Sequence, residues 1–148
     1  MEFIAEKDAG LIPYVLSQIL DTCVNGITLS DPDQEDNPIV YANEAFEMIT
    51  GYSREEILGK NCRFLQGEDR DQKALEKIRA AIRDQQHVTV TLRNYRKNGE
   101  LFYNNFSIRP LLDRDGRLLY FLGVQYDVTN QVEAEQELNR LNQLLGQT

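Results

Sequence analysis

Cysteine and histidine are scarce in this chain: its 148 residues include two cysteines, Cys23 and Cys62, and one histidine, His87. Two thiols do not make a disulfide framework, and two thiols with one imidazole fall short of a four-ligand zinc site. Positive charge is also in short supply, with 16 Lys and Arg against 24 Asp and Glu, a net charge of −8. Nucleic acid and anionic membrane both demand a basic field, so neither partner is expected, although one local anion site is still compatible. No apolar run approaches the roughly 20 residues of a membrane span. The first residues carry no signal-peptide h-region. The setting this predicts is reducing and cytoplasmic.

What remains is ordinary for a globular domain: 41% hydrophobic and 27% charged residues, enough to bury one core. The length suits one domain with helical extensions. Asp8 is placed to cap a helix over about 10–23, in which Ile12, Val15, Leu16, Ile19 and Cys23 form an apolar stripe. That puts Cys23 on a packing face, as an inert core or interface thiol. Short strands are expected at 27–30 and 39–41, separated by the polar turn region Asp31-Pro32-Asp33 through Asn37-Pro38. Asn43 caps a short helix that Gly51 ends, and Ser53-Arg54-Glu55-Glu56 is a capping box for another. An amphipathic helix over about 70–84 turns Ala74, Leu75, Ile78, Ala81 and Ile82 to one side, with Arg79 at the stripe's edge. Strands over about 87–96, 100–110 and 117–127 are joined by Asn98-Gly99 and Asp115-Gly116, which predicts an antiparallel meander. A glutamate-rich helix from Val128 to Leu145 carries Ala134, Leu138, Leu141 and Leu145 at 4-3-4 spacing. This short seam suits packing on its own domain or pairing with a second chain.

Two features carry chemistry. The stretch Gly59-Lys60-Asn61-Cys62-Arg63-Phe64-Leu65-Gln66 sets a thiol beside a guanidinium and two amides. A cysteine next to fixed positive charge is a candidate reactive or ligand-contacting thiol, whereas most lone cysteines are small buried hydrophobes. The second feature lies in the meander. Side chains alternate across a strand, so Asn94 shares a face with Val88, Val90 and Leu92, Asn104 with Phe102, Phe106 and Ile108, and Gln125 with Leu119, Phe121 and Gly123. Each strand thus turns one amide towards the core, where an unpaired amide costs roughly 1–3 kcal/mol. Either the three satisfy one another, or they converge on a flat polar ligand such as a flavin edge or a nucleobase. Gly123 leaves room for a ring, Phe106, Ile108 and Phe121 supply apolar walls, and Arg63 and Arg79 suit a terminal phosphate.

The octapeptide, with Lys77-Ile78-Arg79, Asn94-Tyr95, Phe102-Tyr103-Asn104 and Gly123-Val124-Gln125, closely resembles the LOV (light, oxygen, voltage) flavin photoreceptors, a branch of the PAS fold. The likeness covers about 26–128, leaving 1–25 as an N-terminal cap helix and 129–148 as a C-terminal amphipathic helix. It implies an α+β PAS/LOV fold: a five-stranded antiparallel sheet with short helices on one face and flanking terminal helices. With no effector domain following, the chain resembles a short bacterial LOV protein or an excised sensor domain.

The resemblance also implies a non-covalently bound flavin mononucleotide (FMN). Asn94, Asn104 and Gln125 would bond the isoalloxazine edge, Asn61 and Gln66 the ribityl chain and ring region, and Arg63 and Arg79 the phosphate, with Arg70 as a further phosphate ligand. Thr28, Phe46, Leu65, Ile78, Phe106, Ile108, Phe121 and Gly123 would line the ring pocket. Cys62 would add reversibly to flavin carbon C4a under blue light, and Gln125 would answer by rotating its amide and biasing the terminal helix. That is photochemistry rather than turnover, so no enzyme is expected. Expected partners are the chromophore, a second copy through the flanking helices, and a downstream signalling protein the sequence does not identify. Gly26 stands where plant members often have asparagine, which removes side-chain help with adduct decay. Tyr103 replaces a frequent tryptophan but lies on the opposite strand face. Two rivals remain: a cysteine enzyme, for which His87 is the only histidine base available, and a flavin redox sensor or passive PAS ligand module that needs no Cys62.

Overall fold

Five strands, β1 (Gly26–Ser30), β2 (Ile39–Ala42), β3 (Val88–Tyr95), β4 (Leu101–Leu112) and β5 (Leu118–Asp127), form one antiparallel sheet in the order β2-β1-β5-β4-β3. The computed structural model describes residues 11–146. Asp8, expected to cap the first helix, lies outside them, as does the Ile12 side chain. The β3–β5 meander follows its turn signals, with Gly99 and Gly116 at φ of +88° and +83° where a side chain would be strained. The meander then closes on the N-terminal hairpin, because β1 pairs along β5 with Thr28 opposite Gly123 and Gly26 opposite Gln125.

Helices α2 (Glu44–Thr50), α3 (Arg54–Ile57) and α4 (Lys73–Asp84), with a 3-10 turn over Cys62–Gln66, provide the residues that pack on the sheet's apolar face. The Asn43 carboxamide caps α2 through Phe46 N–H, Gly51 ends it in the left-handed region, and Ser53 with Glu56 forms the expected capping box. Two clusters result. Leu75 and Ala81 of α4 pack on Val90, Leu92, Phe106, Ile108 and Phe121. Ile39, Ala42, Phe46, Ile57 and Leu65 form the other beside the hairpin.

The terminal helices do not pack their apolar stripes on the domain. α1 (Leu11–Thr22) attaches to α2 by polar ties: Asn43 Nδ2 donates to Leu20 O at 2.8 Å, and Asp21 Oδ1 accepts from Glu44 N at 3.1 Å. Its stripe is left open, with Val15, Leu16 and Ile19 at 40%, 39% and 49% exposure, and Cys23 is only half-buried. α5 (Thr129–Leu145) is fixed at its base, where Tyr103 N donates to Thr129 Oγ1 and Val128 N to Tyr103 O, both at 2.9 Å. Beyond that joint it buries none of its described residues, and Leu138, Leu141 and Leu145 are exposed. Packing back on its own domain is not the arrangement seen.

Candidate functional site

Between the two clusters lies a cavity of about 260 Å³, floored by the sheet and roofed by the 3-10 turn and α4. The floor carries the three interior amides, and Asn94, Asn104 and Gln125 are each at most 2% exposed. They satisfy one another only in part. Asn104 Nδ2 donates to Asn94 Oδ1 and Asn94 Nδ2 to Arg93 O, both at 3.0 Å, while Gln125 Nε2 donates to Thr28 Oγ1 at 3.3 Å. Asn104 Oδ1 and Gln125 Oε1 stay buried without a partner among the described residues, and so does Asn37 Oδ1 at the cavity wall. Buried acceptors are nearly always bonded, so these three mark places where a ligand donor or water belongs.

Gly123 sits between Thr28 on β1 and Ile108 on β4. A Cβ there would lie 2.5 Å from Thr28 Oγ1 and 3.0 Å from both Gln125 Nε2 and Phe106 Cε1. The missing side chain therefore preserves a flat trough among apolar walls.

The 3-10 turn is anchored on both flanks. Ile39 N donates to Lys60 O and Gly59 N to Ile39 O, tying it to β2. Asn61 caps it by accepting from Arg63 N at 3.0 Å, Leu65 enters the core, and Phe64 meets Tyr52 edge-on at 5.1 Å. This turns Cys62 towards the cavity. Burial pushes its thiol up to about 11, and the Thr28 hydroxyl beside it only partly offsets the rise. The sulfur is thus a neutral S–H at physiological pH, the opposite of an activated thiolate. His87 is exposed, bonds Ser107 Oγ at 2.8 Å and does not line the cavity.

Arg63, Arg70 and Arg79 gather at the cavity's exposed end. Arg63 grips Asp36 through both terminal nitrogens, Arg70 Nε donates to Gly67 O at 2.8 Å, and Arg79 makes no ion pair among the described residues. The segment between the turn and α4 is strapped to β3 by Asp69, which accepts from Arg93 Nε at 2.7 Å, Arg93 Nη2 at 2.8 Å and Tyr95 Oη at 2.7 Å. Those bonds, Arg93 first, hold the Asp69 carboxyl down at about 2. A depressed carboxyl contributes stability above its unfolded value near 3.9 and loses it as pH falls towards 2. Asp69→Asn should therefore lower the urea midpoint at pH 7, with the gap to wild type closing between about pH 4 and 2; a gap that persists at pH 2 would refute the assignment.

Nearly all of the site residues expected from the sequence converge here, including Thr28, Asn61, Leu65, Gln66, Ile78 and Ile108. Phe46 and Phe121 do not: both are buried in the clusters behind the lining. Ser30, Asn37, Leu75, Ile82 and Leu92 also line the cavity. Ser30 was accessible by the two-residue period from Thr28, and Leu75 and Ile82 by the helix stripe. Asn37 had no such signal, because turn chemistry alone accounts for an Asn before Pro. Among the described residues no group of His, Cys, Asp and Glu could hold a metal ion, and no helix is long and apolar enough to cross a membrane.

Residues 24–130 match the PAS domain family model. The chain is 45% identical over 134 residues to a blue-light photoreceptor of Listeria monocytogenes, covering 88% of this chain and 53% of that protein. It is 48% identical over 118 residues to phototropin-2 of Oryza sativa, covering 80% of this chain and 13% of that one. This chain thus spans about half of the Listeria relative and much less of the plant one. Among solved structures, an RNA-binding light-oxygen-voltage receptor superposes with a TM-score of 0.85 at 38% identity, covering 99% of this chain and 41% of that chain. The LOV domain of the Erythrobacter litoralis EL346 blue-light-activated histidine kinase gives 0.67 at 46% identity, covering 71% and 96%. The chain belongs to the PAS domain family, in its LOV branch.

Proposed function

We propose that this chain is a blue-light sensor that holds FMN in the cavity and signals through a reversible bond from Cys62. The observation that carries the reading is the meeting, in one cavity, of orphaned amide acceptors, a trough kept open by Gly123 and a neutral thiol. Asn94, Asn104 and Gln125 would hold the ring's polar edge, Asn61 and Gln66 the ribityl chain and ring region. Thr28, Leu65, Ile78, Phe106, Ile108 and Gly123 would enclose the ring, supported from behind by Phe46 and Phe121. Arg63, Arg79 and Arg70 would meet the phosphate. Bound FMN supplies light absorption and, once excited, an acceptor carbon C4a next to nitrogen N5. Cys62 would contribute both parts of its S–H bond to that chemistry, its sulfur and its proton, and would recover both in the dark, so no outside oxidant or reductant would be needed. Cys62 need not be a thiolate for this, which separates the reading from a cysteine enzyme.

Gln125 carries both a donor and an acceptor, so its amide could rotate to answer a change from acceptor to donor at the ligand's edge. Two residues on, Asp127 Oδ1 accepts from Thr129 N at 3.0 Å at the start of α5, and Asp127 Oδ2 accepts from Arg96 Nη2 at 2.8 Å. A change at Gln125 thus has a short route to the α5 joint. In this reading 26–128 is the sensor, and the flanking segments 1–25 and 129–148 transmit. The open stripes of α1 and α5 suit a second copy of the chain. Light-scattering mass should give a dimer in at least one light state, and a monomer throughout the concentration range in both would exclude it.

The absorption spectrum before and after blue light tests the core of the proposal: yellow protein should bleach and recover in darkness, whereas a colourless protein that takes up no added FMN would rule it out. Arg79→Ala should weaken FMN binding by about two- to tenfold, the range of an exposed charge-assisted contact, with riboflavin unaffected. Equal effects on the two flavins would remove Arg79 from the phosphate site.

A further inference from the structure

We propose that Asp36 is a specificity-determining residue of this cavity, whose carboxylate competes with the ligand's phosphate for Arg63 and so sets the preference for phosphorylated over unphosphorylated flavin. This rests on the flavin reading above. The connection between β1 and β2 is folded tightly, with Asp31 N donating to Pro38 O at 3.0 Å and Asn37 N to Gln34 O at 3.1 Å. Within it Asp36 and Asn37 stand in succession at φ of +67° and +49°, a region that L side chains other than Asn and Asp rarely enter. That conformation turns two neighbouring residues to the same end of the cavity. Asn37 lines it with its unpartnered Oδ1, and Asp36 presents its carboxylate to Arg63. The loop is held there by Asn61 Nδ2, which donates to Asp36 O at 2.7 Å.

Arg63 Nη1 donates to Asp36 Oδ1 at 2.8 Å, and Nη2 donates to Oδ2. This end-on fork commits one N–H of each terminal nitrogen and sets a carboxylate charge beside the guanidinium. Of the three arginines at this end of the cavity, only Arg63 is held by a carboxylate among the described residues. A phosphate monoester, carrying about −1.5 to −2 charges near neutral pH, must share or displace Asp36 to reach Arg63. Riboflavin has no phosphate and pays no such penalty. Asp36 thus acts on one half of the ligand only, through one side chain.

Asp36→Asn removes the charge while keeping a residue type that tolerates the left-handed backbone. Asp36→Gly, which adopts that backbone freely, is measured beside it, so that a folding defect in one variant does not decide the result. FMN and riboflavin are titrated separately into flavin-free protein, with flavin fluorescence as the readout. At low salt both variants should bind FMN about two- to fivefold more tightly, the range of an exposed ion pair, with riboflavin affinity unchanged. The gain should shrink in high salt and vanish in an Arg63→Ala background, because Asp36 acts through Arg63. An unchanged or lower FMN-to-riboflavin preference, with FMN still bound by wild type, overturns this proposal alone. Wild-type protein that binds neither flavin overturns the flavin reading and this proposal with it.

Discussion

Cys62→Ala is expected to leave the protein yellow while abolishing its blue-light bleaching and dark recovery. Cys62 contributes little to holding a ligand: it is a small half-buried side chain at the edge of the second cluster. Flavin binding should therefore change by no more than a few-fold, since removing one sulfur from a contact costs about 1 kcal/mol or less. Photochemistry is another matter. With the thiol raised to about 11 by burial, almost no thiolate exists at pH 7, so dark nucleophilic attack is suppressed, and in the proposed reading light supplies the activation. Thr28 stands next to both the thiol and the Gln125 amide. Neither the Thr28 hydroxyl nor the Gln125 amide is a base that would deprotonate the sulfur. Absorbance near the flavin maximum, followed through one light pulse, separates the outcomes. Bleaching and recovery in Cys62→Ala identical to wild type would remove the bond from the mechanism and leave a redox or passive flavin module.

The period of the strands made the site legible before its shape was known. Asn94, Asn104 and Gln125 each follow apolar residues at two-residue spacing, and all three are buried on the cavity side as that spacing requires. Mutual satisfaction of these amides holds only in part, because Asn104 donates to Asn94 while its own oxygen is left over. What was illegible depends on contacts distant in sequence or on how far a neighbour reaches. No local pattern announces that β1 slots between β2 and β5, the pairing that sets Thr28 against Gly123. Phe46 has the right residue type for a pocket wall but packs behind it, against the bare Cα side of Gly26, where a Cβ would come within 3.1 Å of its ring. Leu119 is 44% exposed because the β4–β5 register shifts there, pairing Leu111 with Tyr120 but Leu112 with Leu118, so the two-residue period breaks and Leu118 packs on the core instead. Periodicity in α1 and α5 correctly marks an apolar stripe but does not say which molecule covers it. Asp36 shows the same limit for charge: its pairing with Arg63 depends on a positive φ that no local pattern reveals.

The largest binding loss is expected from Gly123→Ala, a single added methyl at the centre of the sheet. Gly123 does not occupy the left-handed region, so alanine meets no backbone strain there and the penalty is one of space. The nearest neighbours are all site residues: Thr28 Oγ1 at 2.5 Å, then Gln125 Nε2 and Phe106 Cε1 at 3.0 Å. A contact of 2.5 Å is impossible, and each side chain that retreats moves into the trough the ring requires or breaks the Gln125–Thr28 bond. Overpacking of this kind costs about 1–3 kcal/mol, which applied to the complex is roughly a five- to hundredfold loss of FMN affinity. Thr28→Ala in the same chain removes the closest atom and should restore part of that loss. Melting of the flavin-free variants serves as the control, because a general folding defect would lower the melting temperature without any recovery of affinity on removing Thr28 Oγ1. Undiminished FMN affinity in Gly123→Ala would mean that the ring does not lie against β5, and the sheet would lose its place as the floor of the site.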